Sequence, residues 1–325
     1  MDRVESYSQD LRLLRGWSGR VALSLTLTIV ALLPFFASDY LIYLVTLTSI
    51  YAIGTLGQNI LIGYTGQVSF GQAGFLAIGA YGMAHLSRAG VPFLVALFLA
   101  GVAAALFGLL VGFPSLRLKG PYLAVATLGF GVAVYQMFAN WDALSGGRMG
   151  MTVPPLAWGG VPKRLVLYYL DVGLAAGLTL AAYNLLGSYL GRAFTAIRDS
   201  DIAAEVMGIN LTRHKLLAFG LSSFYTGIHG ALLIQLLGHI EPQMFTLAES
   251  ITLLVGVVGG GLAFVEGSLF GAGFTVLVPQ VFAGSRGLVP VVFGVAILLV
   301  MIFEPHGIAG QWRRCRLYVS NWPFR

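Results

Sequence analysis

Three polar side chains, Gln67, Ser69 and Gln72, interrupt a glycine-rich apolar run that is otherwise suited to lipid. Amides and hydroxyls donate and accept hydrogen bonds without carrying charge, and in hydrocarbon they are costly without a partner. Their chemistry is that of a polar route rather than of bond cleavage. Two carboxylates, Asp171 and Glu249, lie in or at the edge of apolar segments. An intramembrane charge marks a functional site by default, whereas at the outer interface both would simply be solvated.

Residue types for covalent or nucleotide chemistry do not assemble. The three lysines, Lys119, Lys163 and Lys215, each follow a residue other than glycine, so a phosphate-binding G-x-x-x-x-G-K-[ST] loop is excluded. The histidines His85, His214, His229, His239 and His306 are scattered without metal-ligand spacing, and no metal site is expected. A G-x-S-x-G nucleophile turn is also missing. Cys315 is the single cysteine, which rules out an internal disulfide.

A charged island at 191–215 is the other candidate site. It holds Arg192, Arg198, Asp199, Asp201, Glu205, Arg213 and Lys215 between long apolar runs. Ile202 and Val206 share one face of a short helix, and Gly208 is placed to stop it. A structured polar loop of this length is read as a docking element. A helix lying on the membrane surface has the same pattern.

The elements that position these residues follow from composition. Of 325 residues, 57% are apolar and 10% charged, which is the signature of a polytopic membrane protein. Ten apolar segments are expected to be helical, at about 20–37, 40–62, 67–87, 91–113, 120–139, 164–188, 214–238, 249–264, 267–284 and 288–304. The run 20–37 follows Arg12, Arg15 and Arg20 but lacks a small-x-small cleavage site, so it reads as a retained first helix. Ten spans partition the 19 basic residues fourteen to five. The richer set includes the island, 1–19 and the basic tail 305–325, and is therefore assigned to the cytoplasm. The transmembrane region is thus 20–304, and the loop 140–163, with Trp141 and Trp158, falls outside as an aromatic-anchored connector or a landing surface for a solute-binding protein. The net charge of +6 is spread through loops and tails, which argues against nucleic acid.

Within the first glycine-rich block, 63–82, Ser69, Ala73 and Ala77 recur every four residues and are expected to form one smooth helix face for close packing. A second block, 256–273, is too rich in glycine for a plain helix. It reads as a broken or re-entrant element whose centre, with Glu266, lies at the island end.

Four stretches carry a family resemblance. GQNILIGYTGQVSFGQAGFLAIGAY (57–81), RLKGPYLAVATLGFGVAVYQMFANWDALSGGRMGM (117–151), GRAFTAIRDSDIAAEVMGINLTRHKLLAF (191–219) and GVVGGGLAFVEGSLFGAGF (256–274) resemble, in order, segments of the permease subunits of branched-chain amino acid ABC importers of the LivM-like branch. The likeness covers about residues 45–305. It implies an all-α importer-type permease of about ten helices in the bacterial inner membrane, with both termini cytoplasmic and a cytoplasmic coupling helix. It also implies a second related permease, two cytoplasmic ATPases that use ATP and magnesium, and a periplasmic solute-binding protein as partners, with no cofactor on this chain. On that resemblance Arg198, Asp199, Ser200, Ile202, Ala203, Ala204, Glu205, Val206, Met207 and Gly208 form the ATPase-coupling element. Ala203 and Ala204 would allow close approach, Ile202, Val206 and Met207 would fill a groove, and Arg198 and Glu205 would set orientation at the rim. Gln67, Ser69 and Gln72 are the candidate translocation path. The same architecture would serve urea, short amides or another small polar solute. A stand-alone channel or secondary transporter is the alternative of a different class.

Overall fold

Backbone polar groups in lipid must be satisfied within the chain, and helices do this segment by segment. The computed structural model describes residues 30–115, 118, 120–156, 162–282, 288, 291–295, 298–299 and 307–320, and is largely helical there. The segment 1–19, residues 20–29 of the first apolar stretch, most of 288–304, Arg117, Lys119, Trp158, Arg286, His306 and Arg325 lie outside the described residues.

After a helical stretch over 30–36, α1 (Asp39–Asn59) runs directly into a π-turn (Ile60–Tyr64). Then come α2 (Gln72–Arg88), α3 (Phe93–Ser115) and α4 (Pro121–Asn140). The next connection contains α5 (Asp142–Ser145), a 3-10 turn (Gly147–Met149) and β1 (Met151–Thr152). α6 (Lys163–Gly187), α7 (Tyr189–Asp199), α8 (Asp201–Val206) and α9 (Leu211–Leu237) follow. β2 (His239–Ile240) and a 3-10 turn (Pro242–Phe245) lead to α10 (Leu247–Gly260), α11 (Val265–Val281) and α12 (Gly307–Ser320). β1 pairs antiparallel with β2, which gives the 140–163 connection a fixed anchor. Arg88 supports that anchor by donating to the Thr152 carbonyl at 2.8 Å.

Five described helices are long and apolar enough to cross a membrane: Asp39–Tyr64, Phe93–Pro114, Pro121–Asn140, Lys163–Gly187 and Leu211–Leu237. Two shorter apolar helices, Leu247–Gly260 and Val265–Val281, join them. At 1.5 Å per residue the 14-residue α10 extends only about 21 Å, short of a hydrocarbon core of about 30 Å.

The chain alternates direction between two ends. At one end the start of α1 meets the start of α6 through Asp39 and Arg164, and Tyr40 reaches Gln280 near the end of α11 at 3.1 Å. At the other end the π-turn meets α7 through Arg198 and the α10–α11 turn through Asn59. The island lies at this second end. Arg88, Arg148, Lys163 and Arg164 belong to the first end, whereas Arg192, Arg198, Arg213 and Lys215 belong to the second.

The core forms around α9, which packs on α1, α2 and α3. Its backbone approaches α2 closely enough that Gly79 sits against the Gly227 carbonyl, and Gly230 against the Leu76 carbonyl, with no room for a Cβ. Small residues are thus the condition of contact, as expected for helices that cannot rely on hydrophobic exclusion from lipid.

Two expectations need correction. The 67–87 segment is not one helix: Ser69 lies in an irregular link (Thr65–Gly71), so Ser69 does not continue the Ala73 and Ala77 face. Gly66 takes a left-handed φ of 69°, which turns the chain back after the π-turn and delays the helix to Gln72. Asp171 is not solvated at an interface, and Glu249 is half-buried. Asp171 is fully buried, and the Oε1 atom of Glu249 is enclosed.

The glycine block 256–273 resolves into the two helices α10 and α11 with a sharp turn at 261–264. Gly261 and Ala263 take positive φ there, 128° and 61°. The turn lies at the island end, as the sequence pattern required.

Candidate functional site

The island forms two helices that meet at Ser200. α7 is amphipathic and buries Ala193, Phe194 and Ile197 against the body of the protein. Ser200 then leaves helical geometry, and its hydroxyl accepts from the Ala203 amide at 3.2 Å, capping α8. Asp201 in the first turn of α8 also favours the helix N-terminus. At the far end Gly208 takes a φ of 83°, and the Ile209 amide closes on the Ala204 carbonyl at 3.0 Å. Asn210 starts α9 by accepting from the Arg213 amide at 2.9 Å. Lys215 donates to Asp201 at 2.7 Å and fastens α8 to α9.

These caps fix which side chains face outward. Ile202, Val206 and Met207 are 75%, 82% and 81% exposed and form one apolar patch on α8. Ala203 and Glu205 are also exposed, as are Asp199 and Gly208. Ala204 differs: it is buried, with its side chain toward the protein. Arg198 reaches inward too, donating from Nη1 to the Gly63 carbonyl at 3.1 Å and pairing with neighbouring Asp199 at 3.1 Å.

The three polar residues of the first glycine block are all buried, and each has a partner. Gln72 stands at the start of α2, where its amide donates to Ser222 at 3.0 Å and accepts from Thr226 at 2.7 Å. Ser69 accepts from the Gly71 amide through its hydroxyl, and from Gln58 through its carbonyl at 3.1 Å. Gln67 donates to Thr65 at 3.0 Å. The link is held further by Thr127, which accepts from the Phe70 amide at 3.0 Å, and by Ser250, which accepts from the Ala73 amide at 2.9 Å. A link that ends beside Thr127 and Ser222, within α4 and α9, starts α2 inside the layer of helices. Side chains replace the missing backbone ladder there.

Link and island share a cavity of about 380 Å³. Gln67, Gly66 and Thr65 line one side, and Ile197, Arg198, Asp201 and Lys215 the other. A second cavity of about 250 Å³ lies between α2, α4 and α10, with Tyr135, Gln136, Thr246 and Ser250 among its polar lining.

Sequence reading overlooked Gln58, Asn59, Ser222 and Thr226. The signal was present: Gln58 and Asn59 are adjacent amides in an apolar helix, where each needs a partner. Asn59 accepts from the Ala263 amide at 2.9 Å and donates to the Phe264 carbonyl at 2.8 Å and to Ser268 at 3.0 Å.

Residues 40–304 match the family described as "Branched-chain amino acid transport system / permease component". The chain is 34% identical over 307 residues to the high-affinity branched-chain amino acid transport system permease protein LivM of Salmonella typhimurium, covering 86% of this chain and 72% of that protein. The LivM protein of Escherichia coli K12 matches with the same identity and coverage. The autoinducer 2 import system permease protein LsrC of an Enterobacter species is 26% identical over 242 residues, or 73% of this chain and 66% of that protein. No solved structure matches the chain.

Proposed function

The chain belongs to the permease components of branched-chain amino acid transport systems, and from that premise we propose that it is the membrane-spanning subunit of an ATP-driven importer for branched-chain or related amino acids. The observation that carries the mechanism is α8. It is a short helix capped at both ends, and it presents Ile202, Val206 and Met207 to solvent in a membrane protein. Docking into a groove of a partner is the ordinary fate of such a face.

In this reading one of two ATPase subunits binds α8 at the cytoplasmic end, with Asp199, Glu205 and the Gly208 stop at the rim of the contact, and the other binds the second permease. The fourteen-to-five division of basic residues supports this orientation, because the island belongs to the richer set. Hydrolysis falls to those subunits, since this chain lacks the lysine context of a phosphate-binding loop. A second, related permease completes the pathway, and a periplasmic binding protein delivers the solute at the opposite end. Gln67, Ser69 and Gln72 line the route or support its wall. Rocking of the permease pair between outward-open and inward-open states then moves the solute.

The likeness to an autoinducer 2 permease gives weight to a second reading, in which the same architecture carries another small polar solute. Ligand screening of the cognate binding protein separates the two. The main reading expects leucine, isoleucine or valine to be retained by it and to drive ATP-dependent uptake in proteoliposomes holding the full complex. Uptake that proceeds without the ATPase subunits would overturn the importer assignment in favour of a channel or secondary transporter.

A further inference from the structure

Arg198 turns its guanidinium from the island toward the π-turn. Its Nη1 donates to the Gly63 carbonyl, and its stem lies on Gly66, where an added Cβ would stand 3.3 Å from Arg198 Cγ. Gly63 and Gly66 bracket the junction between the π-turn and the link that leads to Gln72. A π-turn within a helix is an irregularity that recurs at functional sites.

The other side of that junction is clamped. Asn59, in the turn before Gly63, uses three hydrogen bonds to hold the α10–α11 turn. Gly63 packs so tightly between Asn59 and the Ala263 amide that it has no room for a side chain. Gln58, beside Asn59, reaches forward to the Ser69 carbonyl. The π-turn therefore has one face held toward α10–α11 and another face joined to α7 by the Arg198 side chain. The link beyond it ends on the Gln72, Ser222 and Thr226 network.

We propose that Arg198 is a positioning residue that transmits movement of α7 and α8 to the link Thr65–Gly71, rather than a contact for the ATPase. The proposal rests on the reading of α8 as the docking helix. When a partner displaces α8, α7 moves with it through the shared Ser200 hinge. Arg198 then pulls on Gly63 and Gly66 while Asn59 keeps the preceding turn in place. The strain falls on the link, and with it on Gln67, Ser69 and Gln72. The cavity of about 380 Å³ between link and island gives this displacement room.

A covalent substitute for the Arg198 contact provides the test. A Cβ built on Gly66 lies 3.8 Å from Arg198 Cβ, which is about the typical spacing across a disulfide. The double variant Gly66→Cys with Arg198→Cys, in a Cys315→Ser background, is assembled into the full importer complex and assayed oxidised and reduced. The expected result is ATP-driven uptake at least ten-fold below the parent when reduced, recovering to within about two-fold when oxidised. ATPase co-purification stays at the parental level in both states. Gly66→Cys alone controls for the left-handed backbone at that position. Should the double variant fail to assemble, Arg198→Lys and Arg198→Met replace it: Lys still offers a donor to Gly63 and retains most uptake, and Met does not. Equal uptake in the two redox states, or equal uptake of Lys and Met variants, would overturn the proposal. Loss of ATPase co-purification in both single variants would also overturn it, by making Arg198 a docking contact. The docking reading fails separately, if a charge placed at Val206 leaves the ATPase bound.

Discussion

Replacing Val206 by Asp isolates the docking face from the fold that supports it. Val206 is 82% exposed, so the fold itself should lose little, within about 0.5 kcal/mol for an exposed site. If the side chain is buried by a partner, the change forfeits roughly 1.5 kcal/mol of apolar burial. It also strips water from a carboxylate that finds no designed partner, at a further cost of about 2 kcal/mol. Together these give about 3.5 kcal/mol, or a loss in affinity of several hundred-fold. Ala204→Leu, two residues earlier, is the contrasting perturbation. Ala204 is 1% exposed and faces inward, so the larger side chain overpacks the permease and should cost about 1–3 kcal/mol of its own stability. The assay titrates purified ATPase subunits against the permease pair in nanodiscs, alongside thermal unfolding of the same samples. Wild-type ATPase affinity in Val206→Asp would refute the reasoning, whatever Ala204→Leu does. A large fall in the melting temperature of Val206→Asp would refute the claim that its side chain is free of the fold.

Three further outcomes are expected. Gln72→Leu removes two side-chain hydrogen bonds, each worth about 0.6 kcal/mol in membrane interiors, so unfolding in mild denaturant should shift by roughly 1 kcal/mol while uptake falls much further. Gly79→Leu forces α2 off the Gly227 backbone and should destabilise by more than about 3 kcal/mol, read as loss of the folded monomer peak in detergent chromatography. In a Cys315→Ser background, a cysteine at Val206 should react with a membrane-impermeant maleimide only in inside-out vesicles, and one at Arg148 only in right-side-out vesicles; the reverse pattern would invert the orientation.

The parts of this chain that were legible in sequence are those governed by local rules. Gly208 as a helix stop, and Ile202 with Val206 on one face, follow from spacing within a single short helix, and the structure has both. Gln72 stood out by type, but its partners Ser222 and Thr226 are 150 positions or more away along the chain, and no periodicity links them. The start of α2 at Gln72 was hidden because small residues continue the helical spacing back to Ser69. What ends the helix there is tertiary: Gln58 and Thr127 satisfy a non-helical backbone. Ala204 reads as part of an exposed contact helix until the orientation of α8 against the body is known. Asp171 looked like an interfacial residue by its position, yet packing between helices buries it completely.

The short start of α2 gives the link a mechanical character that a through-running helix would not have. A continuous helix at 65–71 would satisfy its backbone by itself and would resist bending. Here the backbone and the first residues of α2 depend instead on side chains from four other helices: Gln58 of α1, Thr127 of α4, Ser222 with Thr226 of α9, and Ser250 of α10. At about 0.6 kcal/mol for each such bond, the five contacts total roughly 3 kcal/mol. They can be exchanged one at a time while the helices that donate them shift, so a displacement at α7 needs no helix to unfold in order to reshape the ground around Gln72. Discontinuous helices of this kind recur where transporters bind solute at mid-membrane depth. The same irregular backbone that left no clean sequence signature is thus the segment whose hydrogen bonds depend most directly on where its neighbours stand.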